Sequence, residues 1–150
     1  MIQVVFLLVV FAVAATGALF PPGDWYAGLA KPPGTPPPWV FGPVWTTLYV
    51  MIAVAGAQLW KAKATPTRTR ALRLFAVQLI LNAAWSWLCF GLHALLASLV
   101  DIGLLLGTLA LLIRTARGVS AAAAWLLVPY AVWVSYATWL NAGLFWLNRG

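Results

Sequence analysis

The sequence predicts an all-α integral membrane protein, a bundle of five transmembrane helices forming a single domain over residues 1–150. Three observations carry that reading. Only 7% of the residues are charged and 64% are hydrophobic, whereas a soluble domain of this size needs roughly 25% charged residues to cover its surface. The mean hydropathy is +0.95. The few charges cluster, so that residues 1–23, 32–60, 74–100, 102–113 and 118–148 hold no Lys, Arg, Asp or Glu, and a helix needs about 20 apolar residues to cross a bilayer.

The first span is expected over 2–20. No basic residue precedes its apolar run, so it reads as a membrane helix rather than a cleaved signal. Residues 21–38 carry seven prolines and three glycines, too broken for a helix and too long for a tight turn, and form a loop that is either an ordered lid or a wandering connection. The second span covers 39–60; Pro43 sits in its first turns, where backbone donors lack intrahelical partners. After the basic connector 61–73, the segment 74–113 is about two crossings long, with Gly91-Leu92-His93 as its turn. This places the third span at 71–91 and the fourth at 94–113. The fifth, 120–147, contains Pro129 and is expected to bend there.

With five spans, Lys61, Lys63, Arg68, Arg70, Arg73, Arg114 and Arg117 lie on one side and only Lys31 and Arg149 on the other. The positive-inside rule then puts the N-terminus in the cytoplasm and the lid loop and C-terminus on the opposite side. The net charge of +7 is thus a topology signal, not the footprint of a nucleic-acid partner. One cysteine (Cys89), one histidine (His93), two aspartates and no glutamate exclude a disulfide framework, a metal site and a catalytic triad.

Ten tryptophans in 150 residues need explaining. Trp39, Trp60, Trp125 and Trp146 fit interfacial anchoring at helix ends. Trp45, Trp85 and Trp133 lie deeper, beside polar residues. Trp45 and Tyr49 share one face of the second span; Gln78, Asn82, Trp85 and Ser86 share one face of the third; Tyr130, Trp133, Ala137 and Asn141 share one face of the fifth. These faces suit two roles: hydrogen bonds between helices, or a pocket with aromatic walls and a few directed donors for a planar apolar ligand with polar edges. Asp101, the one ionisable group deep in a span, is expected to bond a neighbouring helix or a ligand. Gly103 and Gly107 form a GxxxG pattern that permits close helix approach within the bundle or in a dimer.

The run Trp25-Tyr26 … Lys31-Pro32 … Pro37-Pro38-Trp39-Val40-Phe41-Gly42-Pro43-Val44-Trp45-Thr46-Thr47-Leu48-Tyr49 resembles the translocator protein family, also called tryptophan-rich sensory proteins or peripheral benzodiazepine receptors. Gln78, Leu81-Asn82, Trp85 and Phe90-Gly91 resemble its third helix. Pro129-Tyr130-Ala131-Val132-Trp133, Tyr136-Ala137 and Leu140-Asn141 resemble its fifth. The resemblance implies a five-helix bundle, usually a homodimer, with a pocket beneath the loop between helices one and two. It implies binding of porphyrins and related tetrapyrroles such as protoporphyrin IX or haem, and of isoquinoline carboxamide and benzodiazepine drugs. By the same resemblance the ligand-binding residues are Trp39, Trp45, Tyr49, Asn82, Trp85, Trp133, Ala137 and Leu140, and Trp45 and Trp133 match tryptophans implicated in light-dependent porphyrin breakdown. The sterol motif of animal members needs a tyrosine that Leu140–Arg149 lacks, which weighs against cholesterol, although Arg73-Leu74-Phe75-Ala76-Val77 fits the reversed form. Short loops and a brief tail resemble a bacterial cell-membrane member.

Three functions follow in order of preference: a membrane-embedded sensor or carrier that binds tetrapyrroles, a light-dependent porphyrin-degrading enzyme, and a passive tetrapyrrole transporter. No conventional acid, base or metal site is present to support turnover, so degradation would rely on the illuminated pigment itself.

Overall fold

A computed structural model describes Met1–Gly150. It is all-helical, and five helices are long and apolar enough to span a membrane. They are α1 (Ile2–Leu19), α3 (Phe41–Lys61), α4 (Pro66–Ser86), α5 (Leu95–Ala116) and α6 (Ala121–Leu147), with a short α2 (Gly23–Ala27) in the lid loop. A 3-10 turn, Pro38–Val40, leads into α3, and a π-type turn, Trp87–Gly91, carries α4 onward.

Local chemistry sets these limits. The Thr65 side chain accepts from the Arg68 backbone N–H with Pro66 in the first turn, a cap followed by a residue that needs no donor. The helix therefore begins at Pro66, ahead of the expected 71, and draws Arg68, Arg70 and Arg73 into its first turns. The Arg68 guanidinium donates to the carbonyls of Leu59 at 3.2 Å and Trp60 at 2.6 Å, closing the end of α3 and tightening the connector. Ser120 caps α6 by accepting from the Ala123 N–H. Pro129 lies inside α6, which continues unbroken past it. The π turn is visible as Leu92 N–H donating to the Trp87 carbonyl at 2.8 Å.

The spans close into a ring in which α1 packs on α3, α3 on α6, α6 on α5, α5 on α4 and α4 on α1. Lipid offers no hydrophobic drive between helices, so close packing and polar bonds must hold them. Small residues supply the approach: Ala53, Ala55, Gly56 and Ala57 of α3 are all buried. A Cβ at Gly56 would stand 2.6 Å from Phe75 Cζ and against the Phe6 ring, so glycine is what lets α1, α3 and α4 meet there. Gly103 and Gly107, by contrast, are exposed, and a Cβ at either would meet nothing within 4 Å. The GxxxG pattern brings no helix of this bundle close.

Candidate functional site

The aromatic face of α3 meets that of α6 toward the lid loop. Trp45 stacks on Tyr49, with ring centroids 5.3 Å apart. It stands at 90° to Trp133, 6.5 Å away, and edge-on to Tyr130 at 6.2 Å. Phe41 and Tyr136 flank Trp133 at 5.9 and 5.6 Å. The i, i+4 spacing on α3 and the i, i+3 spacing on α6 create this nest, because both helices turn those residues toward one seam. The Trp133 indole nitrogen is buried and has no hydrogen-bond partner. An indole N–H in that condition is a directed donor awaiting an acceptor.

A polar chain runs beside the nest. The Tyr49 hydroxyl donates to Asn82 Oδ1 at 3.1 Å, Asn82 Nδ2 donates to the Tyr130 hydroxyl at 2.7 Å, and that hydroxyl donates to Gln78 Oε1 at 2.9 Å. It ties α3, α4 and α6 together. A second set has Trp85 Nε1 donating to Asn141 Oδ1 at 2.9 Å and Asn141 Nδ2 donating to the Leu95 carbonyl at 3.2 Å, joining α4, α6 and α5. Gln78 Nε2 and Asp101 Oδ2 are buried without partners.

The lid loop is pinned at five places. Ala30 N–H donates to Asn148 Oδ1 at 2.9 Å, and Asn148 Nδ2 returns a bond to the Ala30 carbonyl at 2.8 Å. The Tyr136 hydroxyl donates to the Gly34 carbonyl. Pro32 packs so closely on Gly143 that a Cβ there would lie 2.6 Å from Pro32 Cγ. Trp25 stacks on His93 at 4.0 Å and 7°, and His93 holds a left-handed backbone, φ 55, at the turn into α5. Tyr26 meets Phe90 edge-on at 5.7 Å, and partial burial raises its phenol pKa. The loop is thus an ordered lid, and its short α2, Gly23–Ala27, stands where proline and glycine predicted no helix.

The TspO/MBR family model matches residues 5–147. The chain belongs to the TspO/MBR family. It is 42% identical over 144 residues to the tryptophan-rich protein TspO of Chlorobaculum tepidum, covering 91% of this chain and 89% of that one. It is 33% identical over 143 residues to the tryptophan-rich sensory protein of Cereibacter sphaeroides, covering 95% and 89%. It is 40% identical over 128 residues to the human translocator protein, covering 84% and 76%.

Within this TspO/MBR chain the expected site residues separate. Trp45, Tyr49 and Trp133 meet in the nest. Asn82 is buried beside it with both amide atoms already bonded, and the Trp85 donor is committed to Asn141. Ala137 and Leu140 are buried on α6. Trp39 is 74% exposed and makes no ring contact with the nest. Trp60, Trp125 and Trp146 are also exposed, and Arg149 lies over the Trp146 ring at 3.5 Å. Asp101 makes no hydrogen bond to a neighbouring helix. The lid anchors Tyr136, Asn148 and Gly143 leave no local signal in the sequence, because their partners lie more than a hundred residues away in the chain. No three His, Cys, Asp or Glu side chains group closely enough to hold a metal.

Proposed function

We propose that the chain is a membrane-embedded binding protein, a sensor or carrier, for porphyrins and related tetrapyrroles such as protoporphyrin IX or haem. The ligand takes the aromatic nest beneath the lid, displacing side chains at the seam of α3 and α6. The observation that carries this reading is the Trp133 indole N–H, buried and unpartnered at right angles to Trp45. Flat indole and phenol walls suit a planar macrocycle, and a lone donor among them suits a carboxylate or carbonyl at its edge. We assign Tyr49, Asn82, Trp85, Ala137 and Leu140 to the wall; Trp39, exposed and outside the nest, joins the site by the family resemblance alone. The same features suit isoquinoline carboxamide and benzodiazepine drugs, which pair planar rings with a carbonyl. The relatives' names, tryptophan-rich sensory protein and translocator protein, support the sensor and carrier alternatives. We place the protein as a homodimer in a bacterial cell membrane, N-terminus cytoplasmic, lid and C-terminus opposite, from the family resemblance and the seven-to-two charge bias.

Titrating protoporphyrin IX into purified protein in the dark tests this: saturable quenching of tryptophan fluorescence supports binding, and its absence defeats the reading. The Trp45–Trp133 contact favours a second reading, light-dependent porphyrin degradation, in which the excited pigment supplies the reactivity. Under illumination, loss of the porphyrin bands that requires Trp45 and Trp133 would support it; bands that persist would leave binding alone.

A further inference from the structure

At the end of the bundle opposite the lid, a cleft of about 630 Å³ opens between the start of α4 and the end of α5. Thr67 and Arg70 line it from α4, and Leu111, Arg114, Thr115 and Gly118 from α5 and its following turn. Arg68 next to it spends its guanidinium on the α3 carbonyls, whereas those of Arg70 and Arg114 bond nothing in the chain. No carboxylate stands near to neutralise them, since the chain's two acids are Asp24, in the lid loop, and Asp101, buried within α5. Two guanidiniums from different helices therefore converge on one opening with their donors free.

The depth and the surroundings say what fits. The cleft lies where two helices long and apolar enough to span a membrane end, which in a bilayer is the level of the lipid headgroups. Its α5 side continues along the outward face of that helix: Arg114, Leu111, Gly107, Leu104, Gly103 and Val100 share one helical stripe. Leu111, Leu104 and Val100 are exposed on it, and the two glycines leave open space above the backbone. On α4 the stripe through Arg70 continues to Val77, also exposed. A positive, donor-rich head thus sits over a shallow apolar track.

We propose that this cleft binds the phosphate of an anionic membrane lipid, with an acyl chain lying along the α5 stripe. Arginine pairs are suited to phosphate because their forked donors match its oxygens, and anionic lipids concentrate at membrane faces that carry basic segments. A free phosphate offers the same headgroup chemistry without the chain, so the track over Leu111 and Leu104 is what selects a lipid.

The test uses the full-length protein in neutral detergent, with phosphatidylglycerol, phosphatidylcholine and inorganic phosphate added separately. Binding is read as the rise in Tm and, by native mass spectrometry, as the retained lipid. Phosphatidylglycerol is expected to raise Tm and stay bound, and the R70Q/R114Q variant, having lost its charge-assisted hydrogen bonds to the phosphate, to bind it roughly 30-fold more weakly. K61Q/K63Q, which removes the same charge outside the cleft, is expected to bind it as the unaltered chain does. Equal weakening in both variants would reduce the effect to diffuse surface charge and overturn the proposal. So would an equal response to phosphatidylcholine, or an equal shift with inorganic phosphate alone. Because Arg70 and Arg114 are exposed and bond nothing, R70Q/R114Q is expected to fold; should it not, G107L and G103L, which fill the track and leave both arginines, must weaken lipid retention for the proposal to stand.

Discussion

In the lid half of the bundle most buried polar side chains are spent on one another, with Gln78 Nε2, Asp101 Oδ2 and Trp133 Nε1 the exceptions. Tyr49, Asn82, Tyr130 and Gln78 form one chain, Trp85 and Asn141 another, and Asn148 clasps the lid backbone at Ala30. At the opposite end Arg70 and Arg114 point into an open cleft with no partner. The difference follows from where each end sits. Inside a bilayer an unpaired polar atom costs free energy, so pairing is the rule and an orphan such as the Trp133 N–H is informative. At the water interface an unpaired guanidinium costs little, so only the convergence of two of them on one cleft means something.

The largest effect that would sharpen this contrast is expected at Gly143. A valine there must displace Pro32, whose Cγ would be 2.6 Å from the new Cβ; overpacking of this kind costs about 1–3 kcal/mol. The lid, not the bundle, is expected to yield. A cysteine at Thr35, half-buried in the lid, in a Cys89→Ala background should then label at least about fivefold faster. Unchanged labelling would mean that the lid is not anchored through this contact.

Asn148→Ala removes both bonds to Ala30 and is expected to cost about 1–2 kcal/mol of lid anchoring, read by the same labelling. Asn82→Leu breaks the bridge between Tyr49 and Tyr130. Single side-chain bonds between membrane helices are worth about 0.6 kcal/mol on average and up to about 1.7, so a modest fall in Tm is expected. Ligand affinity should fall less than for a change at Trp133, because the Asn82 amide is already occupied by the protein. A large affinity loss with unchanged Tm would make Asn82 a direct ligand contact. Smallest of all, Arg114→Gln in detergent free of anionic lipid should leave stability within about 0.5 kcal/mol; a larger loss would show that the basic end is as internally bonded as the lid end.

The five helices were legible from charge-free runs, and the nest from the helical spacing of Trp45 with Tyr49 and of Tyr130 with Trp133. What periodicity cannot supply is the rotation of one helix against another. That rotation decides that Asn82 meets Tyr49 and Tyr130, that Trp85 meets Asn141, and that Asp101 meets no hydrogen-bond partner. The early start of α4 was encoded in Thr65-Pro66, a capping pair hidden by the arginines that made the segment read as connector. The short α2 was missed because Gly23 and Gly28, read as breakers, lie at its two ends. Pairings between the lid and distant helices, such as Trp25 with His93, leave no local trace in a sequence.

Trp133 is the decisive residue, and dark titration of protoporphyrin IX against the unaltered chain, Trp133→Phe and Trp125→Phe probes its role. Phenylalanine keeps an aromatic ring and deletes the N–H, while Trp125 is 70% exposed and serves as the control. If the indole donates to a porphyrin carboxylate, Trp133→Phe should weaken binding roughly ten- to 150-fold with little change in Tm, and Trp125→Phe should bind as the unaltered chain does. Equal affinity for all three would contradict the assignment of the buried indole donor to the ligand.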